Sequence, residues 1–151
     1  MTSNVGAKRI TEPKNLGFGS KETKEQNYEK MKSNVMEEVK QLFKPEFINR
    51  IDDFIVFHKL DRKELEDITS LLLNNLSKRA KEQMKIDMKF TPAVRNHIVD
   101  KYSNPLMGAR PLKRGIMCEI EDPLSMEILS GSITEGDNVK VSFNGGKVNF
   151  H

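Results

Sequence analysis

The chain has 151 residues, a length that suits one domain or one domain with a subdomain. Its 36% hydrophobic and 31% charged content allows a modest core, and the lack of any run of roughly eighteen apolar residues argues against a membrane-spanning helix. The 25 basic and 22 acidic residues are interspersed and leave a net charge of +3, which reads as solvated surface rather than the basic stripe of a nucleic-acid binder. One cysteine, Cys118, rules out an internal disulfide. The first residues, Met1-Thr2-Ser3-Asn4, carry no basic region followed by an apolar stretch. Together these features predict a cytoplasmic protein with no nucleic-acid and no membrane partner.

Residues 1–7 read as the end of a strand running into a turn. Residues 8–27 are polar, rich in Lys and Glu, and broken by Pro13, Gly17 and Gly19, so a long mobile loop is expected there. Tyr28, Met31, Val35, Val39 and Leu42 then fall on one helical face. Pro45 ends that run, because it lacks an N–H and restricts the residue before it. Phe54-Ile55-Val56-Phe57, bounded by Asp52-Asp53 and His58-Lys59, suits a buried strand on length alone.

A second region starts near residue 60. Asp61 with Glu64 has the spacing of a capping box, and Leu65, Ile68, Leu72, Leu76 and Ala80 continue a helical face. Ile86, Met88 and Phe90 alternate as a strand would. Thr91-Pro92 reads as a cap followed by proline at the first helical position, with Val94, Ile98 and Tyr102 inside. Leu112, Ile116, Ile120, Leu124 and Ile128 recur every four residues; Pro123 interrupts them, and Asp122 could cap a fresh helix. Val139, Val141, Phe143, then Asn144-Gly145-Gly146, then Val148 and Phe150 read as a hairpin.

The expected fold class is therefore α+β. Residues 60–151 form a compact unit with its own core, whereas residues 1–59 hold too few elements to enclose much apolar surface. That imbalance predicts a piece of something larger.

Three segments carry a family resemblance: Met1-Thr2-Ser3-Asn4-Val5-Gly6-Ala7, Phe43-Lys44-Pro45-Glu46-Phe47-Ile48-Asn49-Arg50-Ile51-Asp52, and Gly108-Ala109-Arg110-Pro111-Leu112-Lys113-Arg114. In this order and at these separations they resemble the second AAA+ module of Clp/Hsp100 ATPases, in the ClpC-like branch, over essentially the whole chain. The resemblance implies the C-terminal end of an AAA+ α/β large subdomain over 1–59, followed by the small α+β lid subdomain over 60–151.

By that resemblance, Asn4 matches sensor 1, whose amide can donate to a phosphate oxygen and accept from the attacking water. Alone it reads as a turn-initiating Asn. Arg50 matches the arginine finger that reaches the neighbouring subunit's nucleotide; its other reading is a salt bridge with Glu46 or Asp52. Lys44, often Arg in relatives, is a mild departure. Arg110 matches sensor 2, and Gly108 before it would permit close backbone approach; the alternative is a helix-start Arg facing solvent. Lys113 and Arg114 receive no role. Gly115 is a further departure, costing ~1 kcal/mol relative to alanine within a helix.

Leu16-Gly17-Phe18 resembles the hydrophobic-Gly-hydrophobic tripeptide that ClpP-dependent unfoldases present to the ClpP peptidase; the other reading folds Phe18 back onto its own domain. The resemblance implies ATP or ADP with Mg as the cofactor of the intact ATPase, and as partners ClpP, neighbouring subunits of a hexameric ring, and protein substrates. No Gly-x-x-x-x-Gly-Lys-Ser/Thr phosphate loop and no acidic pair ending an apolar strand before Asn4 is present, so the chain alone is expected neither to hydrolyse ATP nor to hold nucleotide tightly. Two other readings stay open: a free-standing lid-type interaction module without a nucleotide role, and a fragment of a ClpB-like disaggregase. His58, His97 and His151 lack metal-ligand spacing, Cys118 is expected to pack within a helix, and the eight methionines read as core fillers.

Overall fold

The computed structural model describes residues 24–104 and 107–151. The expected strand end at 1–7, most of the expected loop at 8–27, Asn4, Leu16, Gly17 and Phe18 lie outside the described residues. The chain divides into two compact units, Met1–Lys59 and Leu60–His151.

In the first unit, helix α1 spans Lys24–Leu42. It starts four residues before the apolar spacing does, so Lys24, Glu25, Gln26 and Asn27 are helical rather than part of a loop. Lys, Glu and Gln are good helix formers, and nothing between Lys24 and Tyr28 breaks a helix. Of the expected inner face, Val35 is buried, while Leu42 is 66% exposed. Tyr28 donates its hydroxyl to the Val56 carbonyl at 2.9 Å and meets the His58 ring edge-on, which ties the start of α1 to residues 56–58. Helix α2, Pro45–Ile48, is a single turn with Pro45 at its start, and Phe43 stacks on Phe47 at 5.1 Å.

The apolar run at 54–57 is not a strand. Ile55 and Phe57 are 75% and 78% exposed, while Phe54 and Val56 are half-buried. The alternation is that of an extended segment, but a strand needs a ladder partner, and the described residues of this unit supply none.

The second unit begins with α3, Arg62–Met84. The capping box forms as expected: the Glu64 amide donates to the Asp61 carboxylate at 2.9 Å, and the Asp61 amide donates to Glu64 Oε2 at 2.7 Å. The helix ends on Lys85 in the left-handed region, φ 56°, with the Lys85 and Ile86 amides donating back to Lys81 and Ala80. Ile86 is fully buried beyond it, and that burial holds a non-glycine residue in this conformation.

Strand β1, Asp87–Phe90, runs parallel to β2, Asn138–Asn144, with Met88 opposite Val139 and Phe90 opposite Val141. Strand β3, Lys147–Phe150, pairs antiparallel with β2 through the two-residue Gly145-Gly146 turn. Both glycines have positive φ, 61° and 79°, as a tight hairpin turn requires. Between β1 and β2 lie α4, Pro92–Tyr102, then α5, Arg110–Ile116, a π-helical segment at Met117–Glu121, and α6, Asp122–Leu129.

These elements close one core. Leu73 and Leu76 from α3, Ile86 and Met88, Val94, Ile98 and Val99 from α4, Leu112, Ile116, Ile120, Leu124, Ile133, Val139 and Val141 are all buried. Thr91 occupies the N-cap of α4, yet its side chain makes no capping bond, and Oγ1 is buried without a hydrogen-bond partner among the described residues. The Thr91 backbone serves instead, its amide donating to Val141 and its carbonyl accepting from Val94.

Pro123 does not break the helical rod as expected. Residues spaced by four drift about 40° per step around an α-helix, so Leu112, Ile116, Ile120 and Leu124 would spiral off the core. The wider π turn at 117–121 takes up that drift, with the Asp122 amide reaching back five residues to the Met117 carbonyl. All four side chains stay buried, and Pro123 falls in the first turn of α6, where a missing N–H is tolerated.

Candidate functional site

Arg50 lies two residues beyond the last residue of α2, after the C-cap Asn49. Its amide donates to the Phe47 carbonyl at 3.2 Å, and the Asn49 amide donates to Pro45 at 3.0 Å, so two tight turns hold its backbone. The residue is exposed. Among the described residues it makes no ion pair with Glu46 or Asp52, although both are near in sequence.

Arg110 is the first residue of α5, held at one end of the continuous rod formed by α5, the π segment and α6. It too is exposed and without an ion-pair partner among the described residues. Two other arginines in the unit are engaged, Arg62 with Glu66 and Asp100, and Arg79 with Glu121, whereas Arg95 has a buried Nε without a hydrogen-bond partner among the described residues. Lys113 and Arg114 are also exposed and unpaired, so freedom from a carboxylate is necessary for a phosphate contact but does not single out Arg110.

Gly108 has φ 60°, and a Cβ placed on it would meet nothing within 4 Å. Close backbone approach is therefore not what this position requires within the chain. It requires the left-handed conformation, which turns the chain into α5. Gly108 bridges back to Asn104, closing the loop that precedes Arg110.

Gly115, unfavourable within a helix on propensity alone, has a packing reason here. It is buried, and a Cβ there would lie 2.5 Å from Cδ2 and 2.6 Å from Cγ of Tyr102. Tyr102, the last residue of α4, lies flat on the glycine and donates its hydroxyl to Glu119 Oε1 at 2.8 Å. Lys101 Nζ donates to the same oxygen. His97 Nε2 lies 3.5 Å from the other carboxylate oxygen, and the His97 ring stacks on Phe143 at 3.8 Å. The Lys101 hydrogen bond holds the Glu119 carboxyl below its ordinary value, with help from Tyr102 and against the opposing effect of burial. Desolvation, then Glu119, pushes the Tyr102 phenol up. This cluster was missed by sequence reasoning, and its one available signal was the glycine inside a helix.

Cys118 lies in the π segment as a helical residue but is exposed rather than packed. Among the described residues no group of His, Cys, Asp and Glu could hold a metal ion, and no helix is long and apolar enough to cross a membrane. A shallow cavity of about 380 Å³ on the sheet, lined by Asp87, Lys89, Thr91, Asn138 and Lys140 among others, includes none of the predicted site residues.

A family model described as the C-terminal, D2-small domain of ClpB protein matches residues 60–141, and a model of the AAA domain (Cdc48 subfamily) matches residues 1–54. The chain is 43% identical over 145 residues to the ATP-dependent Clp protease ATP-binding subunit ClpC of Staphylococcus saprophyticus, covering 96% of this chain and 17% of that protein. It is 44% identical over 144 residues to the chaperone protein ClpB of Oceanobacillus iheyensis, covering 95% and 18%. To the negative regulator of genetic competence ClpC/MecB of Bacillus subtilis it is 42% identical over 147 residues, covering 97% and 18%. The chain thus spans less than a fifth of the length of these relatives, and overall identity does not separate ClpC from ClpB. The D2-small match over more than half of the chain, on an α+β unit that begins at the same residue, shows that the chain belongs to the Clp ATPase family as a C-terminal D2 segment of the ClpC/ClpB type.

Proposed function

We propose that this chain serves the second AAA+ module of a ClpC-like, ClpP-associated unfoldase, in which Arg110 senses the nucleotide of its own subunit and Arg50 completes the site of the next subunit in a hexameric ring. The observation that carries this reading is the placement of the two side chains. Each sits at the edge of a short, well-held helical turn, exposed and without a carboxylate partner among the described residues. Guanidinium is permanently charged and matches phosphate oxygens through a planar fork, so both residues suit ATP or ADP. Mg-bound nucleotide would supply the transferable phosphoryl group. Arg110 would hold it from the lid, Arg50 would neutralise charge in trans, and Asn4 would orient water as sensor 1. The isolated chain lacks a phosphate loop and is expected to show no ATP turnover.

Docking to ClpP is assigned to Leu16-Gly17-Phe18, and unfolded protein chains are the substrate class. Burying one such apolar side chain is worth ~1.5–3 kcal/mol, and a ring that presents several loops at once multiplies the effect. The test is a chimera in which this chain replaces the matching segment of Bacillus subtilis ClpC/MecB. Phe18→Ala should abolish ClpP-coupled degradation and spare ATPase activity. If both activities fall together, Phe18 is a structural residue. If neither falls, the docking role is rejected. The 44% identity to a ClpB favours a second reading, a disaggregase segment with no peptidase partner; it predicts that the unmodified chimera never couples to ClpP.

A further inference from the structure

Arg110 can report nucleotide only if the helix that bears it is fixed in rotation as well as in position. Leu112 and Ile116 are buried in the core and set how deep α5 sits. Their shared face also turns toward the core, and contacts to α4 add a further restraint on rotation about the helix axis. Gly115 and Glu119, four residues apart and so on one face of the rod, both meet the end of α4. The Tyr102 ring fills the space over Gly115, and the Tyr102 hydroxyl and Lys101 ammonium close on Glu119. The loop between the two points of attachment carries Gly108 and delivers Arg110, which lies about 7.5 Å along the helix from Gly115.

We propose that Tyr102, Gly115 and Glu119 form a clamp that positions Arg110 for the nucleotide, a role that rests on the sensor reading of Arg110 given above. The absence of a side chain at residue 115 is what lets the ring lie flat, and the ring adds a restraint on the helix rotation. Tyr102 and Gly115 are positioning residues: neither is placed to touch nucleotide.

The experiment uses the same ClpC/MecB chimera, in a background whose first module cannot bind nucleotide, with KM for ATP, kcat and melting temperature measured on each preparation. Gly115→Ala drives a methyl into the Tyr102 ring, and Tyr102→Ala removes the ring. Each should raise KM by roughly ten-fold, the scale of a misplacement near 1 Å or less, and should lower kcat less. Tyr102→Phe keeps the ring and removes only the hydroxyl; it should raise KM by about two-fold, and it remains informative if Gly115→Ala prevents assembly. In an Arg110→Ala background all three changes should leave KM where Arg110→Ala alone puts it.

Equal effects in both backgrounds would mean that the ring merely packs, and would overturn the clamp. So would an unchanged KM in all three variants while Arg110→Ala still raises it. An Arg110→Ala chimera with unchanged KM would instead reject the sensor reading itself, and the clamp with it.

Discussion

The two units of the chain solve different problems. Residues 60–151 bury fourteen apolar side chains around one sheet, four α-helices and a π segment. The described part of the first unit buries one, Val35, and leaves Leu42, Phe47, Ile55 and Phe57 exposed. The second unit therefore supplies its own stability from the hydrophobic effect, at roughly 25 cal/mol per Å² of apolar surface removed from water. In the described part of the first unit, specific contacts such as Tyr28 to Val56 and Phe43 on Phe47 join neighbouring segments. Arg50, proposed to act in trans, sits exposed in the unit whose described part buries only Val35 among its apolar side chains.

The sharpest way to break this contrast is to change Arg50. In the ClpC/MecB chimera Arg50→Ala should lower ATP turnover by roughly 10³-fold or more, leave nucleotide binding largely intact, and leave the melting of the lid unchanged. Wild-type turnover, or a lowered melting temperature, would reject its assignment as chemistry without structure.

A core substitution should do the reverse. Ile98→Ala deletes a fully buried side chain and should destabilise the isolated chain by about 2–5 kcal/mol in denaturant unfolding. Val35→Ala should leave that main transition within about 0.5 kcal/mol. Equal effects at both positions would mean that the units share one cooperative core.

Asp61 lies at the boundary between the units and caps α3. Asp61→Ala removes the carboxylate that accepts from the Glu64 amide, and keeps the return bond from the backbone amide of residue 61 to the Glu64 side chain. A loss of about 1 kcal/mol is expected, read as a small fall in the denaturant midpoint, with Asp61→Asn recovering most of it.

The smallest effect is electrostatic. Glu119 has a folded-state pKa below its ordinary 4.5, so it binds its proton less readily when folded than when unfolded. Its contribution to stability is complete above that ordinary value and is lost as pH falls through the lower folded value. Thermal melts should drop as the medium is acidified below about pH 4.5, and Glu119→Gln should flatten that part of the profile. An unaltered acid limb in Glu119→Gln would show that other carboxylates carry it.

Several elements could be read from single residues because local chemistry decides them. The Asp61–Glu64 box, the Gly145-Gly146 turn and the alternation of Met88 and Phe90 or Val139 and Val141 each specify their structure within a few residues. Thr91 shows how a local signal fails. The residue type and position were right for a cap, but its backbone was taken into the sheet and the helix, and its hydroxyl was left buried.

What the amino-acid sequence determined by itself was the α+β class, a compact second unit starting near residue 60, and membership of the Clp ATPase family. All of these depend on periodicity and short motifs, which neighbouring residues enforce directly. Only the tertiary structure decided that the rod from Arg110 to Leu129 runs on through Pro123, that Gly115 is empty because Tyr102 occupies its space, and that Ile55 and Phe57 stay uncovered. Those outcomes depend on which surface meets which: a π turn forms because the core rewards keeping four side chains inside, a glycine is needed because a ring thirteen residues earlier lies on it, and an extended apolar run becomes a strand only where another strand is there to pair with it.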